Sequence, residues 1–303
     1  SRGLVGSEMC IRDRLCAGRA DEVSMPGDYM TFEFGPQPVL IIRGKGGDVH
    51  ARANVCRHRM MRLVEGRGNA RKFTCPYHAW TYNTEGRLVS APYMDRTTCF
   101  ERDDLALVEV RCEIYQGWIY VTLDPDILPV ADQLADLSPL TARYNQQDYV
   151  TIFSEEHVWD TNWKCLTENF MESYHLPVAH RATVGAHMPP DEVEFDDRGA
   201  FESFTYQLFT KQDGAPVGRA HDANKSLEGR WRHTSVMPTV FPSHMYVLAP
   251  DHLWYLSLQP DGPSRTRIRY GAAIAPEVLE AKTDREAYIL SLIHISEPTR
   301  PLD

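Results

Sequence analysis

The chain has 303 residues, of which 43% are hydrophobic and 24% are charged, as is usual for a folded globular protein. Its formal net charge of −10 argues against a nucleic-acid partner. No apolar run approaches the ~20 residues that a membrane-spanning helix needs, so we expect no membrane segment. The 7 cysteines lack the spacing of a disulfide framework, which favours a reducing, cytoplasmic location.

Both ends of the chain resemble translated DNA from a sequencing-library adapter. Residues 9–14 read MCIRDR and residues 290–296 read LSLIHIS, and opposite strands of one short DNA element encode the two. We therefore expect residues 1–14 and 290–303 to be artefacts, and we leave them out of the fold prediction. On this interpretation the native protein continues beyond both ends.

In the first half, short β-branched and aromatic segments alternate with turn residues. This pattern predicts strands at residues 30–34, 39–43, 49–54, 72–74, 81–82, 107–111 and 118–122, with a turn at 66–69. Short strands at this spacing are typical of a small antiparallel β domain. We place that domain at residues 30–126, with its boundary in the segment 124–129.

The second half predicts a mixed domain over residues 127–289, which we expect to be incomplete. A short helix is predicted at 131–136, and a second helix at 276–289. Strands are predicted at residues 151–160, 200–209, 243–248, 253–259 and 266–273. The two halves together give an α+β fold class.

A further helix is predicted over residues 162–175. Its apolar residues, which share one face at helical spacing, are Trp163, Leu166, Phe170 and Tyr174. Thr161 or Asn162 is a plausible N-cap. Pro177 would disturb the helix soon after its predicted end.

Two short motifs in the first half carry metal-binding side chains. Cys56 and His58 lie in CRH, and after sixteen intervening positions Cys75 and His78 lie in CPYH. In a Rieske centre two Cys hold one iron and two His hold the other. Zinc is the alternative, but Cys₂His₂ zinc sites usually group both Cys on one knuckle and both His on the other. The order Cys, His, Cys, His therefore favours the cluster.

The segment CRHRMMRLVEGRGNARKFTCPYHAWTYNTEGRL resembles the Rieske domain of ring-hydroxylating oxygenase alpha subunits, and Trp80, Tyr82 and Gly86 also fit that pattern. The resemblance implies a [2Fe–2S] cluster, with the two Cys on the inner iron and the two His on the outer, electron-exit iron. Arg57 and Tyr77, like Trp80, flank the ligands. They either pack the loops or contact an electron donor.

A second motif, NWKCLTENFMESYHLPVAH, spans residues 162–180. Non-haem Fe(II) is commonly held by two His and one carboxylate. His175 and His180 would point about 140° apart on an ideal helix, so they would not share a face. A break at Pro177 could turn both toward one metal. The spacing alone leaves open that they are ordinary polar residues at a helix end.

This second motif resembles the mononuclear-iron segment of the same family, whose catalytic domain has a helix-grip (SRPBCC-like) fold. The resemblance implies that His175 and His180 bind Fe(II) and that Asn169 lies near the iron. It also implies that Glu172 links the iron site to a Rieske His of a neighbouring subunit, although a solvated carboxylate is the alternative. The family's third ligand is an Asp on a late helix. Asp284 is the last candidate, and we expect the true ligand to lie beyond this chain.

The family resemblance implies the terminal oxygenase of a multicomponent system. Electrons from NAD(P)H would arrive through a separate ferredoxin or flavin reductase, and the subunit would form a homotrimer or an α3β3 assembly. With O₂ it would hydroxylate an aromatic or related small organic substrate in a largely apolar cavity beside the two iron-binding His. Alternatives from other classes are a Rieske electron-transfer protein and a zinc-stabilised ligand-binding protein.

Glu at position 172 is common in family members that resemble choline, carnitine and glycine-betaine monooxygenases. A quaternary-ammonium monooxygenase or N-demethylase is therefore an alternative activity. Aromatic side chains could hold such a cation by cation–π contacts. The candidates, which could equally be core residues, are Trp231, Tyr246, Trp254 and Tyr255.

Overall fold

The computed structural model describes residues 14–181, 192–195, 203–211, 218–281, 286 and 289–290. The chain divides after Ile127 into two compact units, which are described separately. Within the described ranges, no helix has the length and apolar character needed to cross a bilayer.

The first unit is built from antiparallel strands. They are β1 (Arg14–Arg19), β2 (Asp28–Phe34), β3 (Gln37–Arg43), β4 (Val49–Ala53), β5 (Arg67–Asn69), β6 (Lys72–Thr74), β7 (Thr81–Asn83), β8 (Leu88–Ser90), β9 (Glu109–Tyr115) and β10 (Trp118–Thr122). Seven of them form a sheet in the order β1-β10-β9-β4-β3-β2-β5, and β6-β7-β8 form a second, three-stranded sheet.

Hydrophobic patterning explains how the larger sheet of the first unit packs. In β2, Met30, Phe32 and Phe34 are buried and alternate with partly exposed residues, so this strand buries one face. The four apolar residues 39–42 of β3 are all buried. Alternate members of that run join the main core on one face, and the others pack with Phe73 of β6 on the other face. The run of four apolar residues in β3 is therefore unbroken because both faces of this strand are covered.

The sequence missed three strands of the first unit: β1, β5 and β8. The predicted turn at 66–69 contains β5, which pairs with the start of β2. Strand β1 begins at Arg14, where the expected artefact segment ends. Arg14 lies opposite Thr122 and forms an ion pair of 3.0 Å with Glu113.

The second unit contains one large antiparallel sheet. Its strands are β11 (Val150–Trp159), β12 (Val193–Phe195), β13 (Phe204–Thr210), β14 (Thr234–Val240), β15 (His244–Leu248), β16 (His252–Pro260) and β17 (Thr266–Ile274). They are ordered β11-β17-β16-β15-β14-β13-β12. Its helices are α1 (Val130–Gln133), α2 (Ser138–Thr141), α3 (Trp163–Phe170), α4 (Leu176–Ala179) and α5 (Pro276–Ala281). A β unit followed by an α+β unit confirms the predicted fold class.

Helices α3 and α4 pack on one face of this sheet. Phe170 and Leu176 form a core cluster with side chains of the central strands, among them Phe209, Met237 and Met245. Burial of side chains of this size stabilises the contact by roughly 1.5–3 kcal/mol each. The helix segment that carries the second motif is therefore held against the sheet by its apolar face.

The predicted helix 162–175 is shorter than the sequence suggested. Asn162 is its N-cap and accepts a hydrogen bond of 2.9 Å from the Lys164 N–H, as predicted. The helix ends at Phe170, and Tyr174 is 88% exposed, so its placement on the apolar face was wrong. The Glu172 carboxylate accepts the backbone N–H groups of Tyr174 and His175, which offers this segment an alternative to helical hydrogen bonding.

A buried carboxylate stabilises the turn between β15 and β16. Asp251 accepts hydrogen bonds from His252 Nδ1 at 2.7 Å and from the Gly218 N–H at 2.9 Å. Burial would by itself raise the pKa of Asp251, but these hydrogen bonds and the His252 charge lower it below the ordinary 3.8. The partly buried Lys211 also interacts with this carboxylate.

We expect Asp251→Asn to reduce the free energy of unfolding at neutral pH by about 3 kcal/mol, because it leaves buried groups without their anionic partner. A carboxyl whose pKa is lower in the folded state stabilises above its unfolded pKa and loses that effect as the pH falls. The difference from wild type should therefore shrink below about pH 4. Urea unfolding at several pH values measures it, with Asp261→Asn at the exposed ion pair to Arg265 as control. Equal losses for the two variants would contradict the prediction.

Candidate metal centres

The first motif forms a tight loop between β4 and β5. The Cys56 N–H donates a hydrogen bond of 2.8 Å to the Met61 carbonyl, and the Met60 N–H donates one of 2.9 Å to the Cys56 carbonyl. Met60 has a φ of 55°, the left-handed conformation that closes the turn. The Cys56 side chain is 1% exposed and faces inward.

The second motif repeats this hydrogen-bond pattern between β6 and β7. The Cys75 N–H donates to the Trp80 carbonyl at 2.7 Å, and the Ala79 N–H donates to the Cys75 carbonyl at 3.0 Å. Ala79 has a φ of 58°, which matches the left-handed residue of the first loop. The two loops thus bury a thiol in the same way, and both thiols belong to one core cluster.

The structure also brings the two imidazoles together. The ring centroids of His58 and His78 are 4.5 Å apart. Trp80 stacks on His58 at 4.8 Å with an interplanar angle of 10°, and it is buried. Burial lowers the pKa of His58, and the adjacent His78 lowers it further. Both effects favour the neutral imidazole that binds metal.

His58 Nδ1 provides a test of whether these residues fit a metal cluster. This nitrogen is buried, and no hydrogen-bond partner for it exists in the described part of the chain. A buried polar atom without a partner is costly unless another group binds it. Two buried thiols and two adjacent imidazoles are the donor set of a Rieske centre, in which each iron takes two of them. Among the described residues, no three His, Cys, Asp or Glu side chains are grouped around a single ion position.

Tyr82 lies against the first thiol. Its hydroxyl oxygen accepts the Arg57 N–H at 3.0 Å and lies 3.4 Å from Cys56 Sγ. Because the Arg57 N–H already donates to this oxygen, the hydroxyl proton is available to the sulfur. Burial raises the pKa of Tyr82, so the hydroxyl keeps that proton.

The residues that flank the ligands differ in their surroundings. Trp80 packs inside the unit, and its indole also meets Phe100 at 5.6 Å. Tyr77 is exposed, and its ring centroid lies 3.8 Å from that of His78. Trp80 therefore packs the loops, whereas Tyr77 presents an aromatic surface to solvent beside the His78 imidazole.

The second site is built on the bend between α3 and α4. The ring centroids of His175 and His180 lie 5.2 Å apart. They approach each other because the chain leaves the helix at Phe170 and His175 becomes the N-cap of α4. Pro177 is tolerated there because the first turn of a helix does not need its N–H.

Glu172 fixes the orientation of one imidazole. Its carboxylate forms a short hydrogen bond with His175 Nδ1, and the Asn169 side-chain nitrogen lies 3.4 Å from the same ring nitrogen. An Nδ1–H that donates to a carboxylate leaves Nε2 as the atom with a free lone pair, the usual arrangement of a metal-binding His. Burial would raise the pKa of Glu172, but the hydrogen bonds from His175 and Tyr174 lower it. Burial lowers the pKa of His180, and His175 contributes to the same shift.

Two family models match the chain. The Rieske [2Fe-2S] domain matches residues 13–101, and the ring hydroxylating alpha subunit (catalytic domain) matches residues 142–291. The chain belongs to the ring-hydroxylating alpha-subunit family. Its two domains imply a [2Fe–2S] cluster and a mononuclear iron.

Two relatives with named activities are about one-third identical to the chain over the aligned residues. A carnitine monooxygenase oxygenase subunit from Acinetobacter pittii is 34% identical over 220 residues, which are 71% of this chain and 55% of that protein. A glycine betaine monooxygenase oxygenase subunit from Pseudomonas aeruginosa is 32% identical over 202 residues, 66% of this chain and 46% of that protein. The chain thus spans about half the length of these relatives.

A solved structure shares the fold. A quaternary ammonium Rieske monooxygenase, crystallised with an inhibitor, matches with a TM-score of 0.79 at 23% identity, covering 97% of this chain and 77% of that one. In the family's arrangement a third iron ligand is expected on a late helix. Asp284, the candidate for it, lies outside the described residues.

The four aromatic candidates for a cation site do not converge. Trp254 lies on the sheet face that packs against α3, where its ring meets Phe170 at 5.7 Å. Tyr255 follows Trp254 in the strand and Tyr246 pairs with Tyr255, so both face the opposite side. Arg143 already covers the Trp231 ring at 3.8 Å. Of the four, only Trp254 lies beside the second site.

Proposed function

We propose that the chain is the terminal oxygenase of a multicomponent Rieske oxygenase system. The observation that carries this proposal is the presence of two metal-type sites in one chain. Two matching loops bury two thiols and bring two imidazoles together beside them. A pair of His follows in the next unit, and a carboxylate orients one of its rings. An electron-transfer protein would need the first site alone.

In this proposal the cluster is held by the first motif pair. Cys56 and Cys75 hold the inner iron, and His58 and His78 hold the outer one. The buried, unpartnered Nδ1 of His58 supports the assignment. Tyr82 orients and polarises the Cys56 thiolate through its hydroxyl proton.

The mononuclear Fe(II) would be held by His175 and His180, with Glu172 and Asn169 beside the first of these rings. The hydrogen bond between Glu172 and His175 Nδ1 supports this assignment, because it fixes the tautomer that presents Nε2. A carboxylate from another part of the protein completes the triad, and Asp284 stays the candidate within this chain. Glu172 Oε2 already accepts two backbone N–H groups, so a contact with a Rieske His of a neighbouring subunit would use the remaining lone pair of Oε1.

When bound, the two metal groups supply single-electron transfer and the activation of O₂. The protein's own side chains hold the substrate beside His175 and exclude water with the apolar face of α3 and the sheet. We propose a small quaternary-ammonium compound as substrate, hydroxylated on or next to an N-methyl group. Similarity to the carnitine and glycine betaine monooxygenase subunits supports this class. Ring hydroxylation of an aromatic compound is the alternative, supported by the catalytic-domain family itself.

The proposed partners follow from the same assignment. A ferredoxin or flavin reductase would pass electrons from NAD(P)H to the cluster, and the exposed Tyr77 beside His78 suits a transient contact at this point. We propose a homotrimer or an α3β3 assembly, since a ring of head-to-tail contacts can bring one subunit's cluster to another's iron. A cytoplasmic location is proposed because the 7 cysteines lack the spacing of a disulfide framework.

Metal analysis and O₂ uptake test the proposed function. The purified protein should contain iron and acid-labile sulfide, and with a reductase and NADH it should consume O₂ when glycine betaine or carnitine is added. An aromatic panel, including benzene and naphthalene, tests the alternative substrate class. Zinc in place of iron would identify a zinc-stabilised protein. A reducible cluster without any substrate-dependent O₂ uptake would identify an electron-transfer protein.

Tyr82→Phe should lower the reduction potential of the cluster, because the hydrogen bond to Cys56 Sγ stabilises the more negative reduced state. A hydrogen bond that favours the reduced state by about 1.4 kcal/mol corresponds to about 59 mV for one electron. A redox titration followed by electron paramagnetic resonance measures the shift. Tyr93→Phe, at an exposed ring of the same unit, is the control and should leave the potential unchanged. If both variants keep the wild-type potential, the hydrogen bond has no influence on the cluster.

A further inference from the structure

Gln207 places an unusual polar group on the sheet face beneath α3. It lies in β13, is 3% exposed, and donates a hydrogen bond of 3.1 Å from Nε2 to the Phe170 carbonyl. Its other amide atom, Oε1, is buried and has no hydrogen-bond partner in the part of the chain that the structure describes. An acceptor left in this state is costly unless another group binds it.

Hydrogen-bonding roles fix which atom of the Gln207 amide faces α3. A carbonyl oxygen can only accept, so the atom that faces the Phe170 carbonyl must be the amide nitrogen. The oxygen therefore points away from α3. Gln207 presents a pure acceptor to its surroundings, held in place by the end of the helix.

The surroundings of this acceptor are apolar and aromatic. Gln207 pairs with Met237, and Val247 pairs with Trp254. Between β14 and β15, the pairing of Val236 with Leu248 places Met237 beside Val247. One row therefore crosses the face in the order Gln207, Met237, Val247 and Trp254. The Phe170 backbone meets Gln207 at one end of this row, and its ring meets Trp254 at the other.

This part of the face also keeps accessible surface. Within the core cluster, Met245, Leu258 and Ile268 are 0% exposed. By contrast, an exposure of 7 to 8% remains at Phe170, Leu176, Met237, Val247 and Leu256. The accessible members lie around the row that joins Gln207 to Trp254, so a small molecule could still cover them.

The row lies next to the proposed iron site. Phe170, which contacts both ends of the row, directly follows Asn169, whose side-chain nitrogen is 3.4 Å from His175 Nδ1. A molecule on this row would therefore lie beside the segment that carries the proposed iron ligands.

We propose that Gln207 and Trp254 select a substrate with a cationic methylammonium group. The inference rests on the proposed oxygenase function and assigns its substrate class to two residues. A positive charge is attracted to the negative end of the Gln207 amide and to the face of an indole. A hydrocarbon ring of the same size would leave Oε1 desolvated without any compensating interaction. The row therefore favours a cation over a neutral molecule of equal shape.

This selectivity is measured with choline and its neutral carbon isostere, 3,3-dimethylbutan-1-ol. The measured quantity is the dissociation constant of the isostere divided by that of choline. Isothermal titration calorimetry on the purified protein should show choline binding about tenfold more tightly in wild type. Gln207→Leu should bring the ratio close to one. Gln207→Glu keeps an acceptor oxygen but loses the donor to Phe170, so it should retain or increase the preference for choline. A purely structural role would instead make the Glu and Leu variants behave alike.

A matched control lies on the other face of the same sheet. Gln259 in β16 is also buried, and both of its amide atoms lack partners among the described residues. It follows Leu258, which is part of the core cluster on the α3 face, so its side chain points to the opposite face. Gln259→Leu should therefore keep the wild-type ratio, even if its melting temperature changes.

Three results would overturn the inference: no preference for choline in wild type, an unchanged ratio in Gln207→Leu, or an equal loss in Gln207→Glu. None of them decides whether the protein is an oxygenase. Substrate-dependent O₂ uptake decides that question. If uptake is observed but the ratio is unchanged in Gln207→Leu, the role of Gln207 is rejected and the oxygenase function is retained. Absence of uptake with every substrate rejects the proposed function.

Discussion

Cys75→Ser is expected to abolish the [2Fe–2S] cluster. The Cys75 thiol is buried inside a loop whose hydrogen bonds fix its position, and a serine hydroxyl is a poor substitute for a thiolate at an iron that takes two Cys. The purified variant should contain acid-labile sulfide near zero and lack the visible absorption and paramagnetic signal of a Rieske centre. Electron delivery from the reductase should then fall to background.

The control for this variant is Cys99→Ser, at an exposed thiol of the same unit. It should keep the sulfide content and spectrum of wild type. Circular dichroism of both variants shows whether the fold survives, since a small unit with two β-sheets retains its main core without the cluster cysteines. A Cys75→Ser protein with full sulfide content would contradict the ligand assignment.

His175→Ala is expected to remove the mononuclear iron and leave the cluster intact. The variant lacks the imidazole that Glu172 orients, so one of the two His ligands is missing. Loss of a residue that only hydrogen-bonds to a metal ligand typically reduces metal affinity by about 10–100-fold. We therefore expect loss of the ligand itself to reduce turnover by more than about 100-fold. The cluster should still be reduced by its donor at the wild-type rate.

Iron and sulfide analysis separates the two sites in this variant. The iron-to-sulfide ratio should fall toward that of the cluster alone, while the sulfide content stays constant. His221→Ala is the control, because that ring accepts the Ala223 N–H within a turn of the same unit. If His175→Ala retains all its iron and its substrate-dependent O₂ uptake, the second motif does not hold the metal.

Local spacing predicted the metal-binding character of the first motif, whereas the prediction for the second motif depended on its resemblance to a known family. Strand patterning such as that of β2 and β3 predicted the antiparallel unit, because alternate or continuous apolar residues report directly on which faces are buried. The order Cys, His, Cys, His favoured a cluster over a zinc knuckle, because zinc knuckles usually group both Cys together and both His together. Short strands such as β5 were not predicted, because Arg67–Asn69 has no apolar pattern and its strand pairs with β2.

Tertiary structure decided how the second motif is arranged. Helical periodicity continued to Tyr174, but the Glu172 side chain captures backbone N–H groups and ends the helix early, a competition that periodicity does not report. Gln207 gave no signal in the sequence either, since a single amide in a strand is ordinary. Its role depends on a carbonyl 37 positions away along the chain and on the absence of a partner for one atom among the described residues, which only packing reveals. Local spacing thus predicts candidate metal ligands such as those of the first motif, whereas the shape and polarity of the sheet face beneath α3 arise from long-range contacts between strands and helix.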